Sequence, residues 1–88
     1  MSHITIHDLA EILRASAGES DLGVDLETAD LTLTDLGYDS LALMETAARI
    51  ERLYGVVVAD GDLDRIRTLR EFTDYVNTRI AEAAGATA

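Results

Sequence analysis

Cysteine is absent from this chain, so neither a disulfide framework nor a thiolate metal site is open to it. Any thiol chemistry has to arrive on an attached group. Proline and tryptophan are missing too, which argues against a Pro-rich linker or a rigid many-turned β fold. Lysine does not occur; arginine supplies all 7 basic residues against 17 acidic ones, for a net charge of −10. Such a chain does not suit nucleic acid or an anionic membrane, because phosphate binding needs cationic surface. It suits docking onto basic protein patches, and the same acidity keeps a small domain soluble. No run approaches the roughly 20 apolar residues that span a bilayer. Residues 1–6 lack the basic start and apolar run of a signal peptide, so a soluble, cytoplasmic protein is expected.

What is present is 88 residues, 48% of them apolar, too many for a disordered acidic tail and enough for one small domain over residues 1–88. Residues 5–17 read as a helix. Thr5 and Asp8 form a short capping box, Ile6, Leu9, Ile12, Leu13 and Ala17 recur at helical spacing, and Gly18 is a stop. Residues 19–39 hold seven acidic residues and no basic one, with leucines scattered between them. They read as a long ordered loop that lays its leucines on the core. A strand over 31–34 is set aside because no second strand is available to pair with it. Residues 40–54 are the strongest helix, with Met44, Ala47, Ile50 and Tyr54 assigned to the core and Leu41, Glu45 and Ala48 to an exposed face. Val56, Val57 and Val58 read as an extended connector with one valine buried. A short helical turn over 61–67 follows, centred on Leu63 and Ile66. Thr68 and Glu71 box the start of a last helix over 69–84, with Leu69, Phe72, Tyr75 or Val76, and Ile80 inward, and a frayed tail over 85–88. The expected fold is all-α: a small four-helix bundle of three main helices and one short one, with the long loop between the first two.

Three stretches could carry chemistry. Asp60, Asp62, Asp64 and Glu71 fall at positions 1, 3, 5 and 12 of a calcium loop. Arg65 stands where that loop needs glycine, a second cation, Arg67, lies inside it, and Glu71 is already explained as a cap partner; no metal site is assigned. Nucleophilic catalysis at Ser40 would need a base in reach, and the only histidines are His3 and His7 near the N-terminus. Nor does the sequence around Ser40 match the Gly-x-Ser-x-Gly elbow. No catalytic residue is assigned. Ser40, at the start of the best helix, is then a helix cap or an attachment point.

The stretch Leu36-Gly37-Tyr38-Asp39-Ser40-Leu41-Ala42-Leu43-Met44-Glu45 resembles the phosphopantetheine-attachment segment of acyl carrier proteins. The order of helices resembles that family over essentially the whole chain, and the run through Thr46-Ala47-Ala48-Arg49 looks most like the stand-alone carriers of type II aromatic polyketide synthases. The resemblance implies a 4'-phosphopantetheine arm, moved from coenzyme A onto Ser40 by a phosphopantetheinyl transferase, with Asp39 and Leu41 in the recognised motif. It implies a carrier, not an enzyme, working as a monomer. Malonyl units and growing chains would ride on the arm as thioesters. A malonyl transferase, a ketosynthase with its chain-length factor, a ketoreductase and cyclases are the implied partners. Carriers for fatty-acid synthesis or for a starter unit are the alternative. Docking is expected at Leu41, Glu45, Ala48 and Glu51, with Asp60 and Asp62 adding charge, and Met44 is placed inside. The helix after Ser40 carries Arg49 and Arg52 beside its two glutamates, so its charge is near zero, unlike the acidic docking helix usual in the family. Ala59 stands where many relatives have proline.

Overall fold

Asn77 holds the amino-terminal segment against the last helix in both directions. Its side chain accepts a hydrogen bond from the Ile4 N–H at 2.7 Å and donates one to the Ile4 carbonyl at 2.8 Å. The computed structural model describes residues 3–18, 23 and 25–86. Its elements in order are helix α1 (Ile6–Ala17), a 3₁₀ turn (Leu26–Thr28), helix α2 (Ser40–Tyr54), the short helix α3 (Asp60–Leu63) and helix α4 (Leu69–Ala86). The four-helix bundle read from periodicity is therefore the fold.

Helix ends lie where local chemistry puts them. Thr5 caps α1 with a reciprocal Thr5–Asp8 box, and Thr68 and Glu71 exchange the same pair of bonds before α4. The Glu71 carboxylate also accepts from the Arg67 N–H, at 2.9 Å. Gly55 closes α2 at φ +70°, a left-handed conformation that costs other residues more. Helix α4 runs on to Ala86, past the end expected at 84, and the rest of the tail expected to fray lies outside the described residues.

One hydrophobic core joins the elements, with Phe72, Leu9, Leu13, Ile50, Leu69 and Val76 fully buried. Deleting the Phe72 ring would cost about 3–5 kcal/mol, a large part of the few to ~13 kcal/mol typical of so small a domain. Two threonines share this interior. Thr46 and Thr73 return their hydroxyl protons to the carbonyls of Ala42 and Leu69, each at 2.9 Å, which satisfies the polar group without leaving the helix.

Several expectations are corrected. Met44 is 50% exposed, because the buried face of α2 centres on Leu43, Ala47 and Ile50 and Met44 lies one residue, about 100°, round from Leu43. Leu53, near the end of the same helix, is exposed as well. Both Val56 and Val58 are buried, and only Val57 faces out, as alternation along an extended segment requires. In the loop before α2, Leu33 and Leu36 enter the core while Leu26 and Leu31 stay exposed; Leu22 and Val24 lie outside the described residues. No strand forms among the described residues, yet the loop does pair. Thr32 and Thr68 make an isolated antiparallel bridge, with the Leu33 N–H donating to the Arg67 carbonyl at 2.7 Å. A second tie follows, from the Arg70 N–H to the Ala29 carbonyl and from the Arg70 guanidinium to Asp30 at 2.8 Å. The loop is thus laid along the start of α4.

Candidate functional site: the amino terminus of helix α2

The turn into α2 is built from residues 32–39. The Leu36 N–H donates to the Thr32 carbonyl and the Gly37 N–H to the Thr34 carbonyl, which coils the chain tightly. Gly37 then takes φ +95°, so the chain reverses at the one residue without a Cβ. Tyr38 turns inward and is 5% exposed. Its N–H bonds the Leu33 carbonyl, and its hydroxyl donates to the Gly18 carbonyl at the end of α1, at 2.9 Å. Tyr38 was read only as a motif residue; it is the strut that fixes the approach to the serine.

Asp39 is the cap of α2. It is extended (φ −102°, ψ −176°), and its Oδ1 accepts the Ala42 N–H at 2.9 Å. Capping by Ser40, the plain alternative to attachment, is therefore wrong. Ser40 is the first residue of the helix proper, exposed, and its hydroxyl makes no hydrogen bond among the described residues. Aspartate and serine are both good caps, and only backbone geometry decides between neighbours. The outcome leaves a free hydroxyl beside first-turn amide groups and the positive end of a 15-residue helix. A phosphodiester on that oxygen meets conditions that favour an anion by roughly 0.3–1 kcal/mol.

An open groove of about 760 Å³ starts at Ser40 and runs between the loop before α2 and the α3 segment. Leu33, Tyr38, Leu43, Leu63 and Ile66 line it, and no histidine does. His7 instead lies 3.0 Å from Glu11 on the exposed face of α1. Among the described residues lining the groove, no histidine stands by Ser40 to act as the base of serine catalysis.

The other site residues fall into two groups. Leu41, Met44, Glu45 and Ala48 share one exposed face of α2 below Ser40, with Leu41 63% exposed. Glu51 is half-buried, and its carboxylate accepts the Val58 N–H at 2.8 Å, which holds the connector to α2. Asp62 accepts a 2.6 Å hydrogen bond from the Tyr75 hydroxyl, which ties α3 to α4. Burial raises the Tyr75 pKa, and this bond to Asp62 adds to the rise. Of the calcium-loop carboxylates, Asp62 and Glu71 thus already hold protein groups, and no cluster of three metal-binding side chains occurs among the described residues. The side chain of Asp60 lies outside them.

Comparison with known proteins decides what this turn belongs to. The phosphopantetheine attachment site family matches residues 7–76. The chain belongs to that family. It is 54% identical to the granaticin polyketide synthase acyl carrier protein of Streptomyces violaceoruber, over 96% of this chain and all of that protein. It is 51% identical to the actinorhodin polyketide synthase acyl carrier protein of Streptomyces coelicolor, over 92% of this chain and 95% of that protein. The solution structure of the acetyl form of the actinorhodin carrier superposes with a TM-score of 0.83 at 47% identity, covering 93% of this chain and 96% of that one. A member of this family is a carrier and not a catalyst, and its working group is a covalent 4'-phosphopantetheine. No helix among the described residues is long and apolar enough to cross a membrane.

Proposed function

We propose that Ser40 is the attachment residue and that the carrier holds malonyl and growing polyketide chains on its arm between polyketide synthase enzymes. The observation that carries this reading is the uncommitted Ser40 hydroxyl, left free because Asp39 caps α2. In the attachment step a transferase removes the Ser40 proton, and Oγ takes the phosphopantetheinyl group from coenzyme A, releasing the nucleotide. The arm supplies a terminal thiol for thioester formation, and a chain without cysteine offers no protein thiol to compete. Gly37 and Tyr38 hold the segment in place, and the first turn of α2 receives the phosphodiester charge.

The exposed face with Leu41, Met44, Glu45 and Ala48 is read as the docking surface, with Met44 added to it. Glu51 and Asp62 serve structure first. The partners are the transferase, a malonyl transferase, a ketosynthase with its chain-length factor, a ketoreductase and cyclases. All would meet the carrier as a monomer in the cytoplasm. Intact-mass measurement tests the attachment. Incubation with coenzyme A and a broad-specificity transferase adds the mass of one arm to the chain and none to Ser40→Ala. An arm added to Ser40→Ala, or none added to the natural chain, overturns the assignment.

A further inference from the structure

The groove that opens at Ser40 is lined by three carboxylates and a single cation. Leu33, Leu43, Leu63 and Ile66 line it together with the hydroxyl residues Thr32, Thr34 and Ser40, and its charged residues Asp35, Asp39 and Asp64 carry carboxylates, which accept and do not donate when ionised. The Tyr38 hydroxyl is already given to Gly18. Arg67 is the one cation among the lining residues. Its backbone is fixed on both sides: the N–H donates to Glu71 at 2.9 Å, and the carbonyl accepts from Leu33 at 2.7 Å. Its guanidinium, by contrast, makes no ion pair or hydrogen bond among the described residues. Arg70, Arg79 and Arg49 differ, being held by Asp30, by Glu82 and the Val57 carbonyl, and by Ser16. Arg65 likewise has no side-chain partner among the described residues, but it lines a separate hollow beside α4, with Asp74 and Tyr75. Arg67 is thus an exposed cation with an anchored backbone and a guanidinium that no described residue holds, at a groove whose other charged groups repel oxygen anions.

We propose that Arg67 is a specificity residue that binds the oxygen atoms of acyl cargo lying in the groove, either a β-keto carbonyl or a malonyl carboxylate, and so favours oxygenated chains over alkyl ones. The proposal rests on attachment at Ser40. A guanidinium presents five N–H donors in a fixed fork, which matches a carboxylate or a 1,3-dicarbonyl and gains nothing from a methylene chain. An alkyl chain would leave it solvated and the apolar walls in use, so cargo oxygen is the variable Arg67 reads.

The test uses isotope-labelled holo-carrier, then the same protein loaded with butyryl, acetoacetyl or malonyl groups, with loading verified by mass. The readout is the Arg67 Nε–H resonance in the ¹H–¹⁵N spectrum. It is expected to move from its holo position with acetoacetyl or malonyl cargo and to stay there with butyryl. A response to one oxygenated cargo alone identifies carbonyl or carboxylate as the group bound. Arg67→Gln is expected to abolish the acetoacetyl-versus-butyryl difference in the amide shifts of Leu33 and Leu63, and Arg65→Gln to preserve it. A resonance that moves between apo and holo forms and no further assigns Arg67 to the phosphodiester and overturns the proposal. So does a butyryl response equal to the acetoacetyl one, or no response at all. Absence of loading by mass overturns the Ser40 assignment instead.

Discussion

Asp39→Ala removes the side-chain bond that caps the start of α2, from Asp39 Oδ1 to the Ala42 N–H at 2.9 Å. Loss of a cap costs about 1 kcal/mol. Removing a carboxylate from the positive end of a helix adds roughly 0.3–1 kcal/mol. The sum, about 1.5 kcal/mol, lowers the melting temperature by roughly 6–12 °C in a domain of this size. Asp39→Asn keeps an equally good cap and loses only the charge term, so it falls by roughly 2–4 °C. Thermal unfolding of the apo chain followed by circular dichroism at 222 nm separates the two. Transferase kinetics on the same variants separate capping from recognition: if the enzyme reads the Asp39 charge, Asp39→Asn loads slowly while melting almost normally. Equal melting of Asp39→Ala and the natural chain would refute the capping argument, and with it the reason given for a free Ser40 hydroxyl.

Glu45→Arg alters the exposed face one turn beyond Ser40 and is expected to slow loading or chain extension by partner enzymes, with an unchanged melting temperature; full turnover with the partner set would count against docking there. The Arg70 hydrogen bond holds the Asp30 carboxyl below its ordinary value near 3.8, so the stability it contributes is present above that pH and disappears as pH falls through the lowered folded value. Asp30→Asn should therefore flatten the acid limb of a stability-against-pH curve, and a limb of unchanged steepness would deny the pair a role. Burial, aided by Asp62, raises the Tyr75 pKa above its ordinary value near 10.0, so its contribution is complete below that pH and is lost as pH rises through the raised folded value. Tyr75→Phe should make the alkaline limb shallower, measured by urea unfolding across that range; Tyr54, raised by burial and then by Asp8, keeps its own part of the limb in both proteins.

The helices were legible because their signals are local. Thr5 with Asp8, Thr68 with Glu71, and Gly55 after Tyr54 each specify an end within a few residues. The loop was not legible in the same way. Whether Leu31 or Leu33 goes inward depends on the Leu33–Arg67 backbone bond, whose partners are 34 residues apart (67 − 33) and carry no matching pattern. Asn77 likewise meets Ile4 across almost the whole chain. Thr46 and Thr73 look polar in a periodicity reading and are buried because each hydroxyl has a carbonyl four residues back. At the site, the motif identified Ser40 by its neighbours, while the division of labour between Asp39 and Ser40 needed backbone angles. Met44 was misplaced because an apolar residue at helical spacing near a core stripe can still lie off its edge.

The bond from the Tyr38 hydroxyl to the Gly18 carbonyl pins together the two ends of the segment joining α1 to α2. That makes the segment a closed ring as far as chain entropy is concerned. Doubling the length of such a ring costs only about 0.6 kcal/mol. Ala29, Leu33 and Leu36 are set in the core, and Ala29 and Leu33 are tied along the start of α4, so within the ring it is exposed acidic positions such as Glu27 and Asp35 that can be rewritten while the serine stays where the tyrosine holds it. The fold thereby separates exposed positions that can change from the buried and hydrogen-bonded ones that hold Ser40 in place.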